Sequence, residues 1–207
     1  MRAAMVCLAP PRHHITGLVL AGGRGSRMGG VDKGLQQHRG QPLVQHALQR
    51  LAPQVGPLLV NANRHAEHYA AFSHPVIADA QSDFAGPLAG MLAGLRACHT
   101  PWLVSVPCDS PQFPADLVAR LAQAAADAHA DIAMAATLEA DGSLQPQPVF
   151  CLLRATLRDA LQAFLDQGQR KIDRFTGQQR QVQVPFPEVD AFVNANTTDE
   201  LARLQGP

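Results

Sequence analysis

Neither charge is in excess in this sequence. Its 207 residues carry 17 Lys plus Arg and 17 Asp plus Glu, a formal net charge of zero at pH 7. Such a balance leaves no electrostatic footprint for bulk nucleic acid or an anionic membrane surface. Any anion the protein holds must therefore be held by a local constellation. Cysteine is scarce as well. Cys7, Cys98, Cys108 and Cys151 lie far apart and form no C-x-x-C pair. That spacing excludes a disulfide framework or a compact zinc site and suits thiols in a reducing cytosol. No apolar run approaches the ~18 residues of a membrane-spanning helix. The opening stretch, MRAAMVCLAPPRHH, lacks a proper apolar signal region and an A-x-A-like cleavage site. Residues 1–14 are expected to be a disordered extension, residues 15–207 a single domain, and the protein cytoplasmic.

Familiar catalytic signatures are missing too. A dinucleotide fingerprint G-x-G-x-x-G starting at Gly23 would need glycine where Met28 stands. A P-loop built on Gly25 and Gly30 would need lysine where Val31 stands, and Lys33 comes two residues late. There is no G-x-S-x-G elbow and no internal repeat. What the chain does have is a globular composition, 46% hydrophobic and 16% charged, at a length suited to one domain.

Short β-rich apolar runs at 15–20, 57–61, 75–78 and 102–107 read as buried strands. Between and after them, 42–52, 64–72, 86–98 and 115–129 read as helices, the first with Pro42 in its opening turn. Residues 131–137 and 147–153 form a predicted hairpin across a polar turn at 139–143. A helix at 155–167, a strand at 181–186, and a short strand and loop at 191–196 follow. A last helix is expected at 198–204, where Thr198 and Asp199 favour a start. Strands alternating with helices imply a mostly parallel α/β sheet covered on both faces. Ligands of such sheets bind beyond the carboxyl ends of the strands. The residues to inspect are therefore 21–33, Asn61, Asp79 and Asp109.

The loop AGGRGSRMGGVDK follows the first strand directly. Its glycines permit close backbone approach and positive φ, and successive free N–H groups can cradle phosphate oxygens. Arg24, Arg27 and Lys33 bring three cations to it, a charge suited to a triphosphate. Asp109 ends the V-S-V-P-C-D run. A lone carboxylate at a sheet edge suits Mg²⁺, which takes one or two carboxylates together with substrate phosphates. Asp79 ends the third run similarly, and Asn61 at the end of the second suits a base or ribose. A turn or capping role remains open for all three. His65 and His68 read as a surface pair, with no third ligand nearby.

The stretches Leu20-Ala21-Gly22-Gly23, Arg27-Met28-Gly29-Gly30-Val31-Asp32-Lys33 and Val60-Asn61-Ala62-Asn63-Arg64-His65 carry a resemblance. Gly86-Pro87-Leu88-Ala89-Gly90, Pro107-Cys108-Asp109-Ser110-Pro111 and Phe192-Val193-Asn194-Ala195-Asn196-Thr197 add to it. Together they make the chain, from Ile15 to about Leu204, closely similar to the molybdenum cofactor guanylyltransferases of the nucleotidyltransferase superfamily. Ser110 departs mildly from the threonine common there. The resemblance implies a three-layer α/β/α, Rossmann-like fold and transfer of GMP from GTP to molybdopterin, with Mg²⁺ required. It implies GTP contacts at Leu20, Ala21, Gly22, Lys33, Asn61, Asp79 and Asp109, with Asp109 also holding the metal. It sets Arg27, Gly30, Asn194 and Asn196 on the reactive or pterin side, with Arg27, Lys33 and Asp109 as the catalytic set. Implied partners are GTP, the molybdopterin cofactor, other proteins of cofactor assembly and recipient molybdoenzymes; a monomer is expected. The rivals are a cytidylyltransferase on the same pterin, a sugar-1-phosphate nucleotidyltransferase, and a non-catalytic nucleotide-binding chaperone. Guanylyl-transferring members of the resembling family read L-A-G-G and cytidylyl-transferring ones L-A-A-G, so Gly22 is the discriminating position.

Overall fold

The computed structural model describes residues 8–21, 32–79 and 86–194. The alternation of apolar runs and amphipathic segments resolves into nine strands and six α-helices among these residues. In chain order they are β1 (Ile15–Leu20), β2 (Gln37–His38), β3 (Gln41–Pro42), α1 (Leu43–Leu51), β4 (Leu58–Asn61), α2 (Ala66–Ala70), β5 (Val76–Ile77), α3 (Pro87–Ala97), β6 (Trp102–Pro107), α4 (Leu117–Asp127), β7 (Ile132–Leu138), β8 (Leu144–Arg154), α5 (Arg158–Asp166), α6 (Ile172–Thr176) and β9 (Gln181–Phe186). Seven strands form one sheet in the order β5-β4-β1-β6-β8-β7-β9, and β2 and β3 make a separate two-stranded ribbon. Pairing within β5-β4-β1-β6 and between β7 and β9 is parallel. Only β8 runs against its neighbours.

Two apolar layers cover the sheet. On one face Val44, Ala47, Leu48 and Leu51 of α1 and Leu117, Val118, Leu121 and Ala125 of α4 pack with Ile15, Val19, Val60 and Val104. On the other, Leu88, Met91, Leu92 and Leu95 of α3 and Leu161, Phe164 and Leu165 of α5 pack with Leu18, Leu59 and Leu103. Residues 15–20 therefore send alternate side chains into opposite layers, as a strand's period of two requires, and both layers are apolar because both faces are covered. This is the expected three-layer α/β/α fold.

Several boundaries differ from expectation. Residues 12–14, expected within a disordered extension, form a 3₁₀ turn. The Arg12 guanidinium donates to the Pro53 carbonyl at 3.3 Å, and Ala9 packs on the core; the sequence hides this because the partners lie some forty residues away. Pro42 is not in the first turn of α1 but immediately before it, extended and paired with Gln37. Of the run at 191–196, residues 191–194 are described, and they are not a strand. Val189–Phe192 is a 3₁₀ turn. Phe192 packs edge-on against Phe150 and Phe186, with ring centroids 4.9 and 5.3 Å away. An aromatic anchor, not a ladder, fixes that segment. The helix expected at 198–204 lies outside the described residues.

Candidate active site

Four parallel strands stop in step. Leu20 at the end of β1 is in register with Asn61 on one side and Pro107 on the other, and Asn61 with Ile77. The backbone carries the alignment one residue further: Ala21 N–H donates to the Asn61 carbonyl at 2.8 Å, and Cys108 N–H to the Leu20 carbonyl at 3.0 Å. The order of strands reverses at this place. From β1 the chain moves outward through α1, β4 and β5. It then crosses the opposite face as α3 and returns to the other side of β1 as β6. Such a switch point leaves a crevice at the carboxyl edge, and the residues singled out from the sequence converge on it.

Lys33 and Asp109, 76 positions apart, meet there. The Lys33 ammonium donates to Asp109 Oδ2 at 3.3 Å, with the side chains 29% and 17% exposed. Both remain open enough to meet a ligand. Further along the same edge, beyond β5, Asp79 is held at three points. Its Oδ1 accepts from the Asn61 amide at 2.9 Å, its Oδ2 accepts from the Asn63 amide at 2.8 Å, and its own N–H donates to Asn63 Oδ1 at 2.8 Å. Asn61 itself is buried, and its amide nitrogen also donates to the Ile77 carbonyl at 3.3 Å. Gly90 in α3 makes room for it: a Cβ there would overlap Asn61 Oδ1. Ser110 is fully buried and donates to Asn194 Oδ1 at 2.5 Å, which ties the chain after β9 to the loop bearing Asp109.

Behind the crevice sits Cys108. Burial pushes its thiol well above the ordinary range, and the Asp109 and Asp32 carboxylates push it further. It is therefore a neutral thiol at physiological pH and neither a nucleophile nor a thiolate ligand. Asp109 is a single hard oxygen donor. Among the described residues no group of three or more His, Cys, Asp or Glu could hold a metal by itself. One partly open carboxylate fits a cation that keeps waters and takes phosphate oxygens from its substrate.

Of the residues expected to form the site, the structure gathers Leu20, Ala21, Lys33, Asn61, Asp79 and Asp109 at one edge, with Asn194 tied to the same loop. Gly22, Arg27, Gly30 and Asn196 lie outside the described residues. His65 and His68 are exposed and face one another at 5.8 Å between ring centroids. Sequence reasoning gave no individual role to Asn63, Asp32 or Tyr69. Asn63 follows Asn61 by two positions, and Asp32 directly precedes Lys33. Tyr69 is the chain's single tyrosine. Those were the available signals.

A family model described as the MobA-like NTP transferase domain matches residues 17–183. The chain belongs to the MobA-like NTP transferase family. This transferase is 58% identical over 203 residues to the molybdenum cofactor guanylyltransferase of Acidovorax sp. (strain JS42), covering 94% of this chain and 96% of that one. It is likewise 58% identical over 190 residues to that of Bordetella petrii, covering 92% and 96%. Among solved structures, molybdopterin-guanine dinucleotide biosynthesis protein A from Archaeoglobus fulgidus superposes with a TM-score of 0.73 at 24% identity, over 92% of this chain and 96% of that one. At that identity the likeness supports the fold alone. Membership of a nucleotidyltransferase family implies a divalent cation in the reaction. Among the described residues of the transferase, no helix is long and apolar enough to cross a membrane.

Proposed function

We propose that this transferase moves GMP from GTP onto molybdopterin, yielding molybdopterin guanine dinucleotide and pyrophosphate. The observation that carries the reading is the meeting of Lys33 and Asp109 at the switch point, in a chain more than half identical to guanylyltransferases along nearly its whole length.

The chemistry is an in-line exchange of oxygen ligands on phosphorus. An oxygen of the pterin's terminal phosphate forms a bond to the α-phosphorus of GTP. The bond from that phosphorus to the bridging oxygen breaks, and pyrophosphate leaves with the electron pair. The attacking phosphate is already anionic at neutral pH, so no strong general base is required. The obstacle is repulsion between anions, which positioning and electrostatic stabilisation overcome. Lys33 neutralises the triphosphate, with Arg27 facing the incoming phosphate. Asp109 would hold Mg²⁺, which would supply charge neutralisation to the substrate phosphates.

Leu20, Ala21 and Gly22 line the nucleotide with backbone. Asp79 accepts the N1–H and N2–H donors of guanine, and Asn61, with its amide nitrogen already committed, acts by holding that carboxylate. Gly30, Asn194 and Asn196 stand on the pterin side. The described cysteines, Cys98, Cys108 and Cys151, are free thiols, which suits a cytoplasmic enzyme. We take it to act as a monomer that passes its product to recipient molybdoenzymes, with other proteins of cofactor assembly as further partners.

Incubation with molybdopterin, Mg²⁺ and each nucleotide in turn, followed by identification of the dinucleotide, tests the reading. GTP is expected to be preferred over CTP by at least about 10²-fold in kcat/KM, because a site built around hydrogen-bond acceptors rejects a base that leaves them unpaired. Equal use of the two would overturn guanylyl transfer. Nucleotide binding without pyrophosphate release would overturn catalysis altogether.

A further inference from the structure

Tyr69 is wholly buried, with 0% of its surface exposed. A phenol removed from water needs a partner for its hydroxyl. Here it donates to Asp32 Oδ1 at 2.5 Å. The same oxygen accepts the Gly34 N–H at 3.2 Å and so closes the Lys33–Leu35 turn. Gly34 lies against the ring, where a Cβ would overlap the Tyr69 hydroxyl. The backbone on both sides of Lys33 is thus fixed by one side chain reaching from α2. The lysine carried by that turn is the one that meets Asp109 at 3.3 Å.

We infer that Tyr69, through Asp32, is a positioning residue for nucleotidyl transfer: it sets the Lys33–Leu35 turn so that the Lys33 ammonium stands beside Asp109. The inference rests on the reading of Lys33 and Asp109 given above. Lysine is a flexible four-carbon stem with a compact charge, and Lys33 directly follows a glycine-rich stretch. Charge stabilisation is effective only where the charge is already in place when the transition state forms. A buried phenol packed 6.5 Å from the Phe72 ring is a rigid point from which to hold it. Core packing alone would need the ring and not the hydroxyl, so phenylalanine would serve as well.

Steady-state kinetics on the full chain, with GTP, Mg²⁺ and molybdopterin, separate the two roles. Tyr69→Phe is expected to lower kcat about tenfold while changing KM for GTP less than about threefold. Asp32→Ala should fall as far. Asp32→Asn keeps an acceptor oxygen for both hydrogen bonds and should recover most of what Asp32→Ala loses. In a Lys33→Ala background, Tyr69→Phe should cost nothing further, because residues acting through one another are not additive. Wild-type kcat in Tyr69→Phe would overturn the inference. So would Asp32→Asn as impaired as Asp32→Ala, since charge and not position would then matter. An undiminished effect of Tyr69→Phe in the Lys33→Ala background would overturn it as well. If Tyr69→Phe fails to fold, the Asp32 pair decides alone. Wild-type activity in Lys33→Ala would instead bring down the reading of the site, and it would show without any Tyr69 variant.

Discussion

At position 90 a single methyl group has nowhere to go. Its carbon would overlap Asn61 Oδ1 and come within 2.6 Å of Leu20 Cδ2, and Asn61 cannot withdraw without releasing Asp79. Gly90→Ala is therefore expected to destabilise by about 1–3 kcal/mol, the usual cost of overpacking, and to raise KM for GTP. Thermal melts alongside GTP titrations check both halves. The charged pair behaves differently. A partly exposed ion pair contributes only about 0–1 kcal/mol to folding, so Lys33→Ala should leave Tm nearly unchanged. It should lower kcat/KM by at least about 10²-fold, or ~2.7 kcal/mol of transition-state stabilisation. Asp109→Asn should nearly abolish transfer at saturating Mg²⁺ while the fold survives, because a neutral amide is a far weaker magnesium ligand. Asp79 and Asp109 were legible in the sequence because each follows a recognisable apolar run, and Lys33 because it is one of three cations in the glycine-rich loop. The Tyr69–Asp32 bond was not, because nothing near either residue records a partner 37 positions away.

Among the elements, those with an unbroken apolar run or a clear alternation were legible: residues 15–20, 102–107 and 181–186 are strands with the bounds expected. The ribbon of β2 and β3, two residues each, and the five-residue α6 are too short to show a period. At the opposite end of the sheet, three strand ends are clasped by Asp131. It takes Arg180 at 2.8 and 3.0 Å and Arg154 at 2.9 Å, and the Arg154 guanidinium lies 4.4 Å over the Trp102 ring. The hydrogen bond from Arg180 holds the Asp131 carboxyl below the usual carboxylate range. A depressed folded-state pKa gives stability that is present above the unfolded value of about 3.9 and lost as pH falls through the folded one. Asp131→Asn should therefore lower Tm near neutral pH, and its deficit relative to wild type should shrink as pH is taken down to about 3. Its kcat should not change, since the clasp lies at the edge away from the crevice. Melts and turnover measured over that pH range check both statements.

For the whole molecule, the arrangement of layers followed from the alternation of strands and helices, and the edge that binds followed from the parallel order. The reversed direction of β8 followed from its hairpin with β7. Its insertion beside β6 did not, because sequence order does not name a strand's lateral neighbour. A ligand held by groups from β1, β4, β6 and the loops beyond them links parts of the chain that are distant in sequence, so occupancy should stabilise the entire fold. At a free GTP concentration about 100 times Kd the gain is about 2.7 kcal/mol, or a Tm rise of roughly 5–10 °C for a domain of this size. Differential scanning measurements with GTP and Mg²⁺ check it. In Asp109→Asn the part of the rise that depends on Mg²⁺ should disappear.

The position of β1 between β4 and β6 also sets an order of events at the ribosome. Ile15 pairs with Trp102, so one side of this interior strand stays open until its partner has been made. At about 5–20 residues per second, the chain spends several seconds with that apolar edge uncovered. An unpaired strand edge is a template for pairing with other chains. Nascent chains stalled before residue 102 are thus the form of this protein most prone to aggregate, and the first for which a chaperone would be needed.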